Sequence, residues 1–422
     1  MNLGVFEHGW WSAACHALGA RYRALPIARH SSGNVYAADL SARAANGRRV
    51  VEALAGCDAR LLVDLGGVGL NLVPDSTADQ QFKLAHECAG RTLFSHFIDP
   101  ISTSFQGLPW EVVWPCLKSG TWIKGVWDRA QAVELQRFGV PNVVHLPMAA
   151  PDRAYDAAPV DPGACRPVIS FVGGQNTSYF RSNAGVATGS LLAGTLAQAV
   201  RSDMPGAQFL DAYYDLFGLD QSFDPSAPLG VQARQTAAYF NAKLYHHAAL
   251  CIRNRDRFVL FLKRKLGDAF RLYGPGWDAA YGISAEPPLP TFAEYLDHFR
   301  HTAINLNLVN GNAETGLNMR HFEITAAGGF LLCMDQPELK GCFEPGKECA
   351  VFQNEQDLIE KVRYYLGRPD ERAAIAQAGQ RRTLSEHLYS HRLAALLRAV
   401  GLPPQVPVAS GTRRSLVTST LP

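Results

Sequence analysis

The sequence predicts an α/β protein in two domains, on three observations. A complete βαβ unit can be read between Ala303 and Cys333, several other short apolar runs stop at glycine, and 422 residues exceed one ordinary domain while fitting two that each bury a core. In the βαβ unit, Ala303 to Leu308 reads as a buried strand and a glycine-bearing loop follows. A helix then runs from about Leu317 to Ala327, Gly328 and Gly329 stop it, and Phe330 to Cys333 is a second strand.

The remaining elements follow along the chain. Leu3 to Phe6 is a first strand ending at His8-Gly9, and Leu61 to Leu65 a second one ending in Gly66, Gly67 and Gly69. That GGxG differs from the dinucleotide fingerprint and opens no helix, so it reads as a tight strand exit and no nicotinamide cofactor is expected. Thr92 to Ser95 precedes His96, Asp99 and Pro100, and Asn142 to Leu146 ends at Pro147. The segment PMAAPDRAYDAAPVDPGACRP has the composition of a linker, which divides the chain into domains at 1–150 and 151–400.

The second domain opens with Val168 to Val172, followed by Gly173 and Gly174. From about 176 to 247 helical patches mark an insertion. CIRNRDRFVLFLKRKLG reads as a solvated basic helix or as a face for an anionic lipid or polysaccharide. Phe270 to Tyr273 is a strand leading into Gly274-Pro275-Gly276-Trp277, and Leu358 to Leu366 and much of Glu371 to Val400 are amphipathic helices. Residues 401–422 carry too little apolar periodicity to pack and read as a flexible tail.

Chemistry concentrates at the start of the helix after Leu317. In a parallel sheet that helix begins at the strands' carboxyl edge, where open α/β sheets bind ligands. Unpaired N–H groups there, with the planar fork of Arg320, suit a diphosphate. Glu323 lies on nearly the same face and could accept two hydrogen bonds from a ribose diol. The alternative is an ordinary Arg320/Glu323 surface pair with Asn318 as N-cap.

GLNMRHFEITAAGGFLL, with LKGCFEPGKECAVFQNEQDLIEKVRYYL and RRTLSEHLYSHR downstream, resembles the C-terminal domain of group 1 glycosyltransferases, in the branch of spore-maturation glycosyltransferase-like proteins. The resemblance is close from about Leu266 to Leu397, and VVHLPMAA is similar to the family's exit from its first domain. It implies two Rossmann-like domains facing across a cleft (GT-B type) that holds a nucleotide-sugar. It matches Glu323 to the glutamate that holds the donor ribose, and makes Glu338 a further donor contact and Trp277 a residue that stacks on the base or lines the cleft, a packed Trp being the alternative. From the residues alone, Gly173-Gly174 lets backbone approach a phosphate or sugar, or forms a simple turn. The family's first glutamate falls at Thr315, with Glu314 beside it as a substitute.

The implied reaction is hexosyl-type transfer from a nucleoside diphosphate sugar to a hydroxyl of a glycan, glycolipid or protein, as in cell-surface glycan synthesis, with retention of configuration. Arg320 would stabilise the charge growing on the leaving diphosphate. If the reaction inverts, a base must come from the first domain, where His8, His96 and Asp99 are candidates; His96 could instead touch the donor sugar. Neither a D-x-D at a strand end nor a ligand cluster is present, so metal independence is expected and no cofactor is called for.

Forty basic and thirty-eight acidic residues leave a formal charge of +2, which argues against nucleic acid as a partner. Nine cysteines without C-x-x-C suit a reducing cytoplasm, and the N-terminus reads as no leader. No stretch reads as membrane-spanning, though peripheral membrane contact stays open. Two rival functions remain: a nucleotide-sugar epimerase on the same scaffold, and a catalytically silent subunit that binds sugar nucleotide.

Overall fold

Strand sequences that are apolar without alternation belong inside parallel sheets covered on both faces, and the chain builds two of these. The computed structural model describes residues 2–6, 9–75, 82–105, 107–175 and 223–402. The first sheet contains β1 (Asn2–Phe6), β2 (Arg21–Leu25), β3 (Leu61–Leu65), β6 (Thr92–Phe97), β7 (Trp122–Val126) and β8 (Val143–His145) in the order β2-β1-β3-β6-β7-β8. Every neighbouring pair in it is parallel. β4 (Leu72–Pro74) and β5 (Phe82–Leu84) pair antiparallel beside it. All residues of β3 and β7 are buried, whereas the edge strand β2 exposes Arg21 and Arg23, charges that discourage another strand from adding.

The second sheet joins β9 (Arg166–Val172), β10 (Phe270–Tyr273), β11 (Thr302–Asn307), β12 (Leu331–Met334) and β13 (Ala350–Phe352), all parallel, in the order β10-β9-β11-β12-β13. Numbered within each sheet, both orders begin 2-1-3-4-5. The order in which strands are added therefore reverses between β1 and β3 in one sheet and between β9 and β11 in the other, and such switch points are where open α/β sheets hold ligands.

The expected βαβ unit is present, with its helix at Met319–Ala326 between β11 and β12. Gly328 takes φ 81° after the helix, its N–H bonds Thr325 O at 2.9 Å, and Gly329 N–H bonds Ile324 O at 3.0 Å. This paired closure satisfies the last carbonyls, and the left-handed residue between them favours glycine.

Two units emerge, one of Met1–Pro147, Tyr213–Asn241 and Tyr389–Pro422, the other of Met148–Ala212 and Ala242–Leu388. Two consecutive blocks at 1–150 and 151–400 do not describe this division, because the chain returns to the first unit twice. The helix Tyr389–Ala399 lays Tyr389 on Trp10 and Trp11 at 5.3 Å between ring centroids, and buried Arg392 donates to Pro147 O at 2.9 Å. Earlier, Trp110 donates to Thr236 Oγ1 at 2.9 Å and Tyr239 to Glu134 at 2.5 Å. An amphipathic pattern tells that a helix has an apolar face, not which core receives it.

Of the expected insertion, residues 176–222 lie outside the described residues; from there on, the helix Leu229–Cys251 is its described part. The expected tail lies outside them from 403 onward. No helix among the described residues is long and apolar enough to cross a membrane.

Candidate functional site

At the switch point of the second unit, the carboxyl ends of β9 and β11 are joined by an arginine. Arg255 Nη1 donates to Gly174 O at 2.8 Å and Nη2 to Leu308 O at 3.1 Å, and its guanidinium lies 5.4 Å from the centre of the Phe171 ring. Arg255 is 6 % exposed. Burial lowers its pKa to about 10; Cys251 and Asp256 oppose that, and the positive charge of Arg320 adds to it.

The basic segment is therefore not the solvated helix expected. Ile252–Asp256 forms a π-helical turn before the helix Arg257–Leu266, and it turns Asn254, Arg255 and Asp256 inward. Asp256, fully buried, accepts from Gln175 Nε2 at 2.9 Å and from Tyr281 Oη at 2.6 Å. Burial first, then Asp256, pushes the Tyr281 hydroxyl well above its ordinary range, so it stays a donor.

Gly173 and Gly174 have a packing reason as well as a possible ligand. A Cβ on Gly173 would sit 2.6 Å from the Phe171 ring, and one on Gly274, at φ 123°, 2.6 Å from Gly173 C. Gly173 N–H and O are spent on Tyr273 O (2.8 Å) and Trp277 Nε1 (2.9 Å), whereas the Gly174 N–H has no protein acceptor among the described residues. Trp277 is fully buried against Phe171 and is a packing residue here, not an exposed ring for a base.

Across β11, Asn318 occupies the N-cap position but its side chain caps nothing. Asn318 Oδ1 accepts from Asn307 Nδ2 at 2.9 Å and contacts His321 Nδ1 at 3.0 Å, leaving the first-turn N–H groups without a side-chain cap. Burial lowers His321 to about 4, with the Asn318 carbonyl opposing, so the imidazole is neutral at pH 7.

Arg320 and Glu323 do pair, at 3.3 Å, yet not as a surface pair, for Glu323 is 4 % exposed. Tyr295 donates to Glu323 Oε2 at 3.0 Å, and its ring lies 4.5 Å from the Arg320 guanidinium. Burial raises the Glu323 pKa while Arg320 and Arg153 draw it down. Glu323 Oε1 has no hydrogen-bond partner among the described residues, and the Arg320 side chain keeps 26 % of its surface exposed.

Glu314 and Glu338 fasten the loop before this helix. Glu314 pairs with Lys243 at 2.5 Å and lies 3.9 Å from His247 Nε2, while Thr315 Oγ1 donates to Glu338 Oε1 at 2.7 Å. Cys251 Sγ bonds Asn310 Oδ1 at 3.0 Å, and Gly311 packs so closely on His247 O that a Cβ would come within 1.8 Å. The C-terminal part of the helix Leu229–Cys251 thus braces the loop, a role its sequence did not disclose.

In the first unit, His96 lies within β6, not past it. It is fully buried against Trp11 and Tyr389, and Nε2 bonds Leu146 O at 2.8 Å. Burial, partly opposed by that carbonyl, lowers it to about 4. In this conformation the imidazole is built into the packing of the first unit, with Nε2 spent on a backbone carbonyl. Asp99 is exposed beyond the strand's end, and His8 lies outside the described residues.

Residues 253–398 match the model of the family described as "Glycosyl transferase-like". This region is similar to that family. No curated protein sequence matches the chain. Among solved structures, sucrose-phosphate synthase from Thermosynechococcus elongatus is similar at 13 % identity and TM-score 0.47, over 95 % of this chain and 99 % of that one. A glycosyltransferase from Rickettsia africae is similar at 10 % identity and TM-score 0.42, over 94 % and 88 %. A putative UDP-N-acetylglucosamine 2-epimerase from Listeria monocytogenes gives 11 % and 0.41, over 98 % and 99 %. At such values these likenesses bear on neither ligand nor activity.

Three residues of this candidate site are not legible in the sequence. Arg255 and Asp256 were hidden because RNRDR looks solvated under a 3.6-residue period, and the π turn breaks that period. Tyr295 was hidden because its phenol meets Glu323 only through the fold.

Proposed function

We propose that the chain transfers a sugar from a nucleoside diphosphate sugar to an acceptor hydroxyl on a glycan, glycolipid or protein. The observation that carries this reading is the pair of arginines, Arg255 across the switch point and Arg320 beside an uncapped helix start, with the Gly174 N–H unspent between strand and loop. Cationic and N–H groups concentrated at one edge favour a dianionic ligand such as a diphosphate. Glu323 offers Oε1 to a ribose diol, while Tyr295 and Arg320 hold Oε2. Holding a carboxylate at 4 % exposure costs desolvation that an apolar residue would avoid, which supports a ligand-directed role.

In the reaction, the bond from the anomeric carbon to the diphosphate oxygen breaks and one to the acceptor oxygen forms, while the acceptor proton is released. The transition state has oxocarbenium character, with negative charge growing on the diphosphate. Arg320 stabilises that charge more than it does the ground state, and retention, the outcome implied by family resemblance, places no strong base requirement on the protein.

One observation favours a second reading, a silent binding subunit: Glu314, the substitute for the family's first glutamate, is tied to Lys243. Thermal shift with UDP, GDP, ADP, CMP and dTDP, with and without magnesium, followed by turnover of the matching nucleotide-sugar, tests both. A magnesium-independent shift with one nucleotide and acceptor-dependent turnover is expected. Turnover without acceptor would mean epimerisation, a shift without turnover the silent subunit, and no shift at all would remove the donor site.

A further inference from the structure

We infer that the first unit holds a second anion site, a groove at the carboxyl end of β2 that takes a phosphate or carboxylate group of the acceptor. The groove encloses about 590 Å³ and runs from the turn after Leu25 along the helix Leu40–Leu54. That size suits one or two sugar rings. Arg29 and Arg49 both line it and no carboxylate does. Arg29 bonds only Gly33 O, at 3.3 Å, and among the described residues neither guanidinium has an acidic partner.

The stretch that follows Leu25 is pinned rather than loose. Asn46, 2 % exposed, donates to Pro26 O at 2.9 Å and Asn71 Oδ1 at 2.8 Å, which pins the chain where it leaves the strand. Beyond Pro26 the N–H groups of Ile27, Ala28 and Arg29 donate to no protein acceptor among the described residues, and Ala28 is only 4 % exposed. Unspent N–H groups beside two guanidinium groups that have no acidic partner among the described residues offer an anion several donors. The groove also lies at the carboxyl edge of a parallel sheet, the edge that takes ligands. An anionic group seated there would leave the acceptor's sugar hydroxyls free for glycosylation.

Assignment to an acceptor rests on the glycosyl-transfer reading, whereas anion binding does not. The test is calorimetric titration of the full chain with glucose 6-phosphate, glucuronate and glucose at low ionic strength, in parallel with the R29Q/R49Q double variant. Both side chains are exposed, so the variant should keep its melting temperature. The expected result is binding of one or both anions, none of glucose, at least a tenfold loss in the double variant and an unchanged UDP thermal shift. Whichever anion binds names the group. Equal binding by the variant, equal binding of glucose, or no binding of either anion overturns the groove. Anion binding lost in the variant, in a protein that no nucleotide stabilises, would leave the anion site standing and remove its link to glycosyl transfer.

Discussion

The two sheets share their strand order, yet their switch points are finished differently. Between β1 and β3 the polar groups are consumed internally. Asp64, fully buried, accepts from Gly67 N–H at 3.3 Å and Gly69 N–H at 2.5 Å, and Arg43, 1 % exposed, donates to Ala38, Gly67 and Leu70 carbonyls. Between β9 and β11 the arginine also binds backbone, but donors are left over at Gly174, at the uncapped helix start and on Arg320. Topology places an edge where a ligand can bind; unspent donors decide whether one does.

The sharpest way to break this contrast is to remove one arginine from each edge. Arg43→Ala strips the donor from the Ala38, Gly67 and Leu70 carbonyls inside the core, so we expect a loss of about 1–3 kcal/mol for each carbonyl left unsatisfied, read by chemical denaturation, with turnover per folded molecule unchanged. Arg320→Ala should act chiefly on turnover, lowering it by about 10²–10³ per folded molecule, with a smaller loss of melting temperature, because Glu323 loses its ion-pair partner but keeps the Tyr295 hydroxyl. If Arg43→Ala also abolished donor turnover in the folded fraction, the β1/β3 switch point would be functional and the contrast wrong.

A second comparison uses protons. His96 in one unit and His321 in the other are each lowered from 6.5 to about 4 by burial. Between these values the unfolded chain binds the proton and the native one does not. Each histidine therefore contributes stability that is complete above pH 6.5 and is lost as pH falls towards 4, about 3 kcal/mol apiece. Denaturation midpoints across that window should fall in the parent and fall less steeply in His96→Gln and in His321→Gln. A variant as steep as the parent would show that its imidazole is not buried neutral.

The smallest effect is expected of Glu323→Gln. Tyr295 can still donate to the amide oxygen, so the fold should persist, while nucleotide affinity drops by about tenfold, or 1.4 kcal/mol. Calorimetry with the nucleotide that stabilises the parent measures this, and unchanged affinity would take Glu323 out of the donor site.

Legibility of the sequence followed locality. β3, β9, β10, β11 and the helix Met319–Ala326 were readable because their signal lies within a single apolar run and its glycine stop. β7 was not, since Lys124 interrupts the run; its ammonium is fully buried and satisfied by the carbonyls of Ser119, Trp122 and Pro141 at 2.8–3.0 Å. Glu323 and Arg320 were readable as a spaced pair, but their burial under Tyr295 was not. His96 was misplaced because polar residues inside and beyond a strand end look alike in sequence.

The returns of the chain to its first unit bear on how the protein can be divided. A polypeptide stopped at residue 150 would leave Trp10 and Trp11 without Tyr389, and Trp110 and Trp114 without Thr236 and Gln232. Its counterpart from 151 onward would leave Ala233, Phe240 and Tyr389 uncovered, and uncovered apolar faces aggregate. Neither half, cut where the linker composition invites the cut, should be soluble alone, and the two halves should be recovered together only when co-expressed.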